Sequence, residues 1–333
     1  MPILWILIFI FSLALLVKSA DWFVESAERI GLAFKISPFI IGVTIVAIGT
    51  SFPELASSLA AVFKEATEIV VANALGSNIA NILLIVGISA VAAGRLVVKR
   101  SLIDLDAPLL GAATFFFIFV MWDKKIVLGE GILLISAFLI YLLYTIFQKR
   151  NEEETPEIVE VLPSRIERRE KEVEKIARLK ETPSKLNLKV FTFLILGMIG
   201  LAIGANYTIE SVIKISELFK ISTSLIAITA VAIGTSLPEL VVSIQAALKK
   251  KYEIALGNVF GSNVFNVLII VGIPALIKPL TVDELTFGIG LPFLVAATLL
   301  FIFSGISRRI HIWEGAMYLL LYILFIVKLC NLF

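Results

Sequence analysis

Apolar residues fill this chain in blocks of about twenty, separated by short polar joints. The blocks lack the one-sided 3.6-residue spacing of a helix lying on a soluble core. An apolar block of that length matches the hydrocarbon thickness of a bilayer, so each reads as a transmembrane helix. Ten are predicted, roughly 3–20, 37–63, 69–93, 103–122 and 126–148, then 188–207, 221–248, 253–277, 285–305 and 311–330. One charged stretch, 149–187, separates the first five from the second five. The expected organisation is an all-α polytopic membrane protein with a first half over 1–148, a charged linker over 149–187 and a second half over 188–333. The first block starts at Ile3 without a basic leader region or a small-residue cleavage site, and reads as the first permanent helix.

The polar residues inside the blocks follow a pattern of their own. Gly49-Thr50-Ser51-Phe52-Pro53-Glu54 recurs 185 positions later as Gly234-Thr235-Ser236-Leu237-Pro238-Glu239. At the same offset Gly76-Ser77-Asn78-Ile79-Ala80-Asn81 becomes Gly261-Ser262-Asn263-Val264-Phe265-Asn266. Between 39–88 and 224–273, 26 of 50 aligned positions are identical without a gap. Each half contains an odd number of predicted spans, so the second copy enters the membrane with the opposite orientation. The fold expected is ten transmembrane helices in two inverted-topology five-helix repeats, related by a pseudo-two-fold axis in the membrane plane.

Composition narrows the function classes. Hydrophobic residues make up 59% of the chain, against about 45–50% in soluble domains. The single cysteine, Cys330, leaves no intrachain disulfide, Cys-based zinc site or CxxC pair, and the single histidine, His311, excludes HExxH chemistry. The spans carry no Ser–His or Cys–His pair and no GxGD-like acid pair, so an enzyme is not expected. Net charge is +2, with the charges gathered in loops and linker. The lipid bilayer is the one macroscopic partner implied; no nucleic acid, obligate protein partner or cofactor is. With the N-terminus outside, 22 Lys and Arg fall on the inner side and 7 on the outer, or 11 against 7 without the linker. The positive-inside rule therefore places the linker in the cytoplasm of a protein of the cell membrane. Trp5, Trp22, Trp122 and Trp313 lie near span ends, as an aromatic belt requires. The linker has ten acids and ten bases between Lys149 and Lys185. Ser164 and Glu167 fit a capping box there, and the stretch reads as a soluble connector.

The duplicated motifs carry the chemistry. A carboxylate in hydrocarbon is costly and is rarely kept without a task. Pro53 removes an N–H from its helix and pushes the preceding turn away, which frees carbonyls around Ala47 to Thr50. In hydrocarbon these must find another partner. Thr50 and Glu54 share a helix face, with Ser51 one turn before Glu54, so hydroxyls and carboxylate converge there. Ser77 and Asn81 stand one above the other on the next helix, and Ser262 and Asn266 repeat them. Gly76 is expected to admit a neighbouring backbone. The set contains two carboxylates, two amides, hydroxyls and carbonyls, with neither sulfur nor imidazole: a hard-cation donor set. With Glu54 and Glu239 ionised the charge is −2, which one Ca²⁺ neutralises, or two or three Na⁺ in its place. A site presenting either ion alternately to each side is an antiporter; spacing alone leaves conduction by a channel open. Proline kinks and single buried glutamates also occur as purely structural features, but not as duplicates with Glu, Ser and Asn all retained. Asn73, Asn258, Asn78 and Asn263 read as capping or packing residues, Asp21 and Glu25 as boundary charges, and His311 as interfacial.

On these residues the chain resembles the prokaryotic sodium/calcium exchangers of the calcium/cation antiporter superfamily. GTSFPE with GSNIAN, and GTSLPE with GSNVFN, are similar to that family's two alpha repeats, and the match covers all but the linker. The resemblance implies ten helices in two inverted halves and alternating access, with the Na⁺ gradient moving Ca²⁺ outward. It also implies that Glu54 and Glu239 are shared Ca²⁺ and Na⁺ ligands and that Asn81 and Asn266 line the central position. Thr50 and Thr235, the carbonyls of Ala47 and Ala232, and Ser77 and Ser262 would complete flanking Na⁺ positions, with Ser51 and Ser236 in the same shell. Some relatives have Asp where this chain has Asn266, and in the potassium-dependent branch an acid there is linked to K⁺; Asn266 leans towards K⁺ independence. Proton/calcium exchange through the same glutamates is the alternative.

Overall fold

The computed structural model describes residues 2–34, 36–63, 65–97, 106–154, 187–218 and 236–330. Helix dominates, as it must where the backbone has no water to bond. The first half holds α1 (Pro2–Ala33), α2 (Pro38–Thr50), α3 (Phe52–Phe63), α4 (Glu68–Ala93), α5 (Ala107–Val120) and α6 (Leu128–Glu154). The second holds α7 (Leu188–Leu218), α8 (Leu237–Leu248), α9 (Tyr252–Ile277), α10 (Thr286–Ile306) and α11 (Ile312–Leu329). Seven helices among the described residues are long and apolar enough to cross a bilayer, and α2 with α3, bent by 40° about Ser51, make an eighth. Helices α5 and α8 are shorter, and the segments before them, 98–105 and 219–235, lie outside the described residues. Counted this way, the described helices do not reach the ten predicted spans.

Several helix ends differ from the hydropathy reading. The first span was expected to stop near residue 20, yet α1 continues to Ala33. Phe23, Val24, Ala27 and Ile30 keep one face of the extension buried, so packing carries the helix beyond its apolar run. Its acids meet lysines of the α8–α9 turn: Lys249 Nζ lies 2.7 Å from Asp21 and 3.1 Å from Glu25, and Lys251 pairs with Glu28. Helix α7 likewise runs past 207 to Leu218, and α6 runs six residues into the linker, to Glu154. The Ser164 capping box lies outside the described residues.

Helices α4 and α9 form the centre: 72% and 83% of their apolar windows are buried, against 22–33% in the other five long spans. Both are widened by a π-helical turn, Ala80–Val86 in α4 and Asn266–Ile270 in α9. Helices α3 and α8 pack against these turns, α6 and α11 against the far ends of α9 and α4, and α5 and α10 close the sides. Outside this core α1 and α7 run antiparallel along one another, with Thr208 bonded to Ser12 at 2.9 Å.

Two short ribbons tie the halves together. Strand β1 (Arg95–Val97) pairs antiparallel with β4 (Arg309–His311), and β2 (Lys125–Ile126) with β3 (Leu280–Thr281). The 185-residue offset carries β1 onto β3 and β2 onto β4, so one contact is made twice with its partners exchanged. Beside β3, Lys278 bonds Glu65 at 2.9 Å and holds that exposed carboxyl below its ordinary range. His311 ends β4 and caps α11, its backbone N–H donating to Glu314 at 2.8 Å.

Candidate ion-binding site

Both glutamates sit in the first turn of a helix that follows a break. Ser51 is the joint between α2 and α3, with φ −86° and ψ 5°, and Glu54 lies in the first turn of α3. Ser236 caps α8 with nearly the same backbone, φ −88° and ψ 8°, and Glu239 lies in that helix's first turn. Each proline falls at the helix start, where a missing N–H leaves no bond unmade. Ser77 and Asn81 come from α4, Ser262 and Asn266 from α9, with Asn81 and Asn266 inside the π-helical turns. Such turns are frequent at functional sites because they shift the helix register locally. None of these glutamates, serines and asparagines, nor Ala47 or Thr50, is more than 3% exposed. Thr235 and Ala232 lie outside the described residues.

Contacts join the first repeat to the second. The Ser51 hydroxyl donates to Glu239 Oε1 at 2.8 Å and lies 3.0 Å from the Ser262 hydroxyl. Asn78 donates to the carbonyl of Asn263 at 2.9 Å, and Asn81 Nδ2 lies 3.4 Å from Asn263 Oδ1. Thr50 Oγ1 donates towards Asn258 Oδ1 at 3.2 Å and lies 3.3 Å from the Ala47 carbonyl. That carbonyl also accepts the Ser51 N–H at 3.0 Å, so in this conformation it is engaged and not free.

Oxygens without partners define the rest. Among the described residues neither oxygen of Glu54 has a hydrogen bond, and the same holds for Glu239 Oε2, Asn81 Oδ1, Asn266 Oδ1 and Ser236 Oγ. A buried polar group left so costs about 1–3 kcal/mol, and a charged one more. The two repeats also differ: Ser51 holds Glu239, while its counterpart Ser236 does not hold Glu54. A cavity of about 190 Å³ reaches this region between Thr50, Pro53, Pro238 and the α7 residues Met198 and Ala202.

Some residues read from sequence as bland belong to the site's frame. Asn258 receives Thr50 and donates to Ser243 at 2.9 Å; in the first repeat Asn73 donates to Ser58 at 3.2 Å. The signal was identity between the two copies, which Asn73/Asn258, Ser58/Ser243 and Asn78/Asn263 all show. Asn258→Ala would strip Thr50 and Ser243 of this partner. A loss of about 2 kcal/mol is expected, measured as a lower thermal midpoint in ion-free buffer. The glycine expectation shifts copy: a Cβ at Gly76 would meet nothing within 4 Å among the described residues, whereas at Gly261 it would lie 2.3 Å from the Val43 carbonyl oxygen.

Residues 4–147 and 189–330 match the family model described as sodium/calcium exchanger protein. The sodium/calcium exchanger MaX1 of Methanosarcina acetivorans is 35% identical, over 97% of this chain and 97% of its own. Inner membrane protein YrbG of Escherichia coli is 34% identical, over 84% of this chain and 82% of its own. The solved structure of the sodium-calcium exchanger NCX_Mj soaked with zero Na⁺ and Ca²⁺ superposes with a TM-score of 0.77 at 31% identity, covering 99% of this chain and 100% of that one.

Proposed function

The chain belongs to the sodium/calcium exchanger protein family, an integral membrane ion antiporter in a family of transporters, and from that premise we propose that it exchanges Na⁺ for Ca²⁺ by alternating access, with net Ca²⁺ extrusion from the cell. The observation that carries this reading is the pair of buried glutamates with three of their four carboxylate oxygens unpartnered among the described residues. Two uncompensated carboxylates in a dry interior are untenable unless a cation or proton joins them. One Ca²⁺ matches their charge, and oxygen donors from Asn81, Asn266, Ser51 and Ser262 suit a hard cation. Na⁺ would fill the same space with Glu54, Glu239, Thr50, Thr235, Ser77, Ser262, Ser236 and the carbonyls of Ala47 and Ala232 as its ligands. Because the carboxylates serve both ions, occupancy by one excludes the other, and this exclusion couples the fluxes.

In this proposal the halves 1–148 and 188–333 are inverted repeats of five spans, with the N-terminus outside and linker 149–187 in the cytoplasm of the cell membrane. The exchanged ribbon pairing supports a two-fold relation between them. The unequal state of Ser51 and Ser236 is what alternating access needs, since a site open to one side must break that symmetry.

The test is ⁴⁵Ca²⁺ uptake into proteoliposomes loaded with Na⁺ and diluted into Na⁺-free buffer. Uptake should require internal Na⁺ and be absent from K⁺-loaded vesicles. Uptake driven by a pH gradient without Na⁺ would transfer the assignment to proton/calcium exchange. Unsaturable flux without a counter-ion would transfer it to a channel.

A further inference from the structure

The end of α1 and the start of α7 line a second cavity, of about 380 Å³, which shares no lining residue with the cavity beside the glutamate motifs. Its walls include Trp22, Glu25 and Arg29 from α1, with Asn187, Lys189 and Phe193 from the beginning of α7. We propose that this groove seats the phosphate headgroup of an anionic phospholipid in the leaflet on the side where α7 begins.

Charge is the first ground. On α1, Lys18, Trp22, Glu25 and Arg29 follow one stripe of the helix. The acids of the same stretch are engaged by lysines, Asp21 and Glu25 sharing Lys249 and Glu28 pairing with Lys251. Among the described residues no carboxylate lies within ion-pair distance of Lys18, Arg29 or Lys189. Arg29 and Lys189 thus line a groove whose one carboxylate, Glu25, is held by Lys249, and Lys18 stands one turn before Trp22 on the same stripe. Arg29 offers the planar fork that binds phosphate oxygens in pairs, and the lysines add point charges.

Level is the second ground. The apolar run of α1 gives way to charge at Lys18 and Asp21, and that of α7 begins just beyond Lys189, so the groove sits where hydrocarbon meets water. The Trp22 and Phe193 rings meet edge to face with centroids 5.4 Å apart, as interfacial aromatics do. Lys18 Nζ stands 5.7 Å from the Trp22 ring and Lys189 Nζ 5.8 Å from the Phe193 ring. Beside it the exposed side chains of Val17, Ile195 and Leu196 provide an apolar strip for acyl chains. Basic pockets between transmembrane helices at this depth are recognised lipid-headgroup sites.

Trp22 is a built-in reporter. The delipidated full-length protein would be reconstituted with rising mole fractions of brominated phosphatidylglycerol or brominated phosphatidylcholine and its tryptophan emission followed. Half-maximal quenching is expected at roughly ten-fold lower phosphatidylglycerol, and Trp22→Phe should remove that difference. Arg29→Gln and Lys189→Gln should each weaken the preference roughly five-fold while leaving the lipid-free thermal midpoint unchanged. Lys328→Gln, on α11, serves as a charge control and should leave the preference intact. Equal quenching by both lipids would overturn the proposal, as would a preference retained in the Arg29→Gln, Lys189→Gln double variant. Displacement of the brominated lipid by millimolar inorganic phosphate would also overturn it, assigning the groove to a free anion.

Discussion

Glu54→Gln and Glu239→Gln are each expected to reduce Na⁺-dependent Ca²⁺ uptake by about 100-fold or more, with folded protein recovered in ordinary yield. Glutamine keeps the volume of the side chain and removes one charge. Two charges in contact in a partly desolvated site interact by several kcal/mol, and a decade in affinity is about 1.4 kcal/mol. Losing half of the charge opposite Ca²⁺ therefore exceeds what the neutral oxygens can restore. Stability should move the other way. An unpartnered buried carboxylate is a liability, so both variants should melt at or above the wild-type midpoint in ion-free buffer. The gain should be larger for Glu54→Gln, because neither oxygen of Glu54 has a partner among the described residues, whereas Glu239 already accepts from Ser51. Addition of Ca²⁺ at about 100 times its Kd stabilises a one-site protein by about 2.7 kcal/mol, and this shift should be absent from both variants. Near-normal uptake in both would sink the assignment of the carboxylates. Normal uptake with the Ca²⁺ shift abolished would instead place the equilibrium site elsewhere on the transport path.

The same residues show what a sequence can and cannot reveal about such a site. Glu54 and Glu239 were legible because burial of an acid is expensive everywhere in a bilayer, and because their neighbours were duplicated with them. The C-terminal end of α1 was not legible, since hydropathy registers lipid-facing blocks. The extension to Ala33 is held by Phe23 and Val24 on one side and by lysines from the distant α8–α9 turn on the other. The ribbons were equally hidden: strands of two or three residues have no period to detect, and their pairing joins positions more than 150 residues apart. Asn258 was visible as a repeated residue but was read as packing, because nothing in its spacing reveals that it spans from Thr50 to Ser243. The π-helical turns around Asn81 and Asn266 have no sequence mark beyond the asparagines themselves.

Gly261→Ala is expected to cost a large share of the stability, because the methyl has nowhere to go. At Gly261 helix α9 crosses α2 backbone to backbone. A Cβ would lie 2.3 Å from the Val43 carbonyl oxygen, 2.6 Å from the Ala47 Cβ and 2.7 Å from the Val43 Cα. None of these is the tip of a flexible side chain, so the helices themselves must separate. Overpacking typically costs about 1–3 kcal/mol, and a clash with main chain belongs at or above the upper end of that range. The neighbouring crossing is also close, with Gly42 facing the Ile254 carbonyl and Gly257 the Phe39 carbonyl, each 2.7 Å from where a Cβ would stand, so the separation cannot be absorbed one turn away. Thermal melting should therefore show a midpoint lowered by several degrees, and yield after size exclusion should fall. Gly129→Ala is the matched control: in α6 a Cβ there would meet nothing within 4 Å among the described residues, and the change should be neutral or stabilising by up to about 1 kcal/mol from helix propensity alone. Separation of α2 from α9 would also move Ala47 and Thr50 away from Ser262, the neighbour of Gly261. Any Gly261→Ala protein that does fold should consequently require more Na⁺ for half-maximal exchange, whereas a purely global loss of stability would lower the yield without changing the Na⁺ dependence of the surviving fraction.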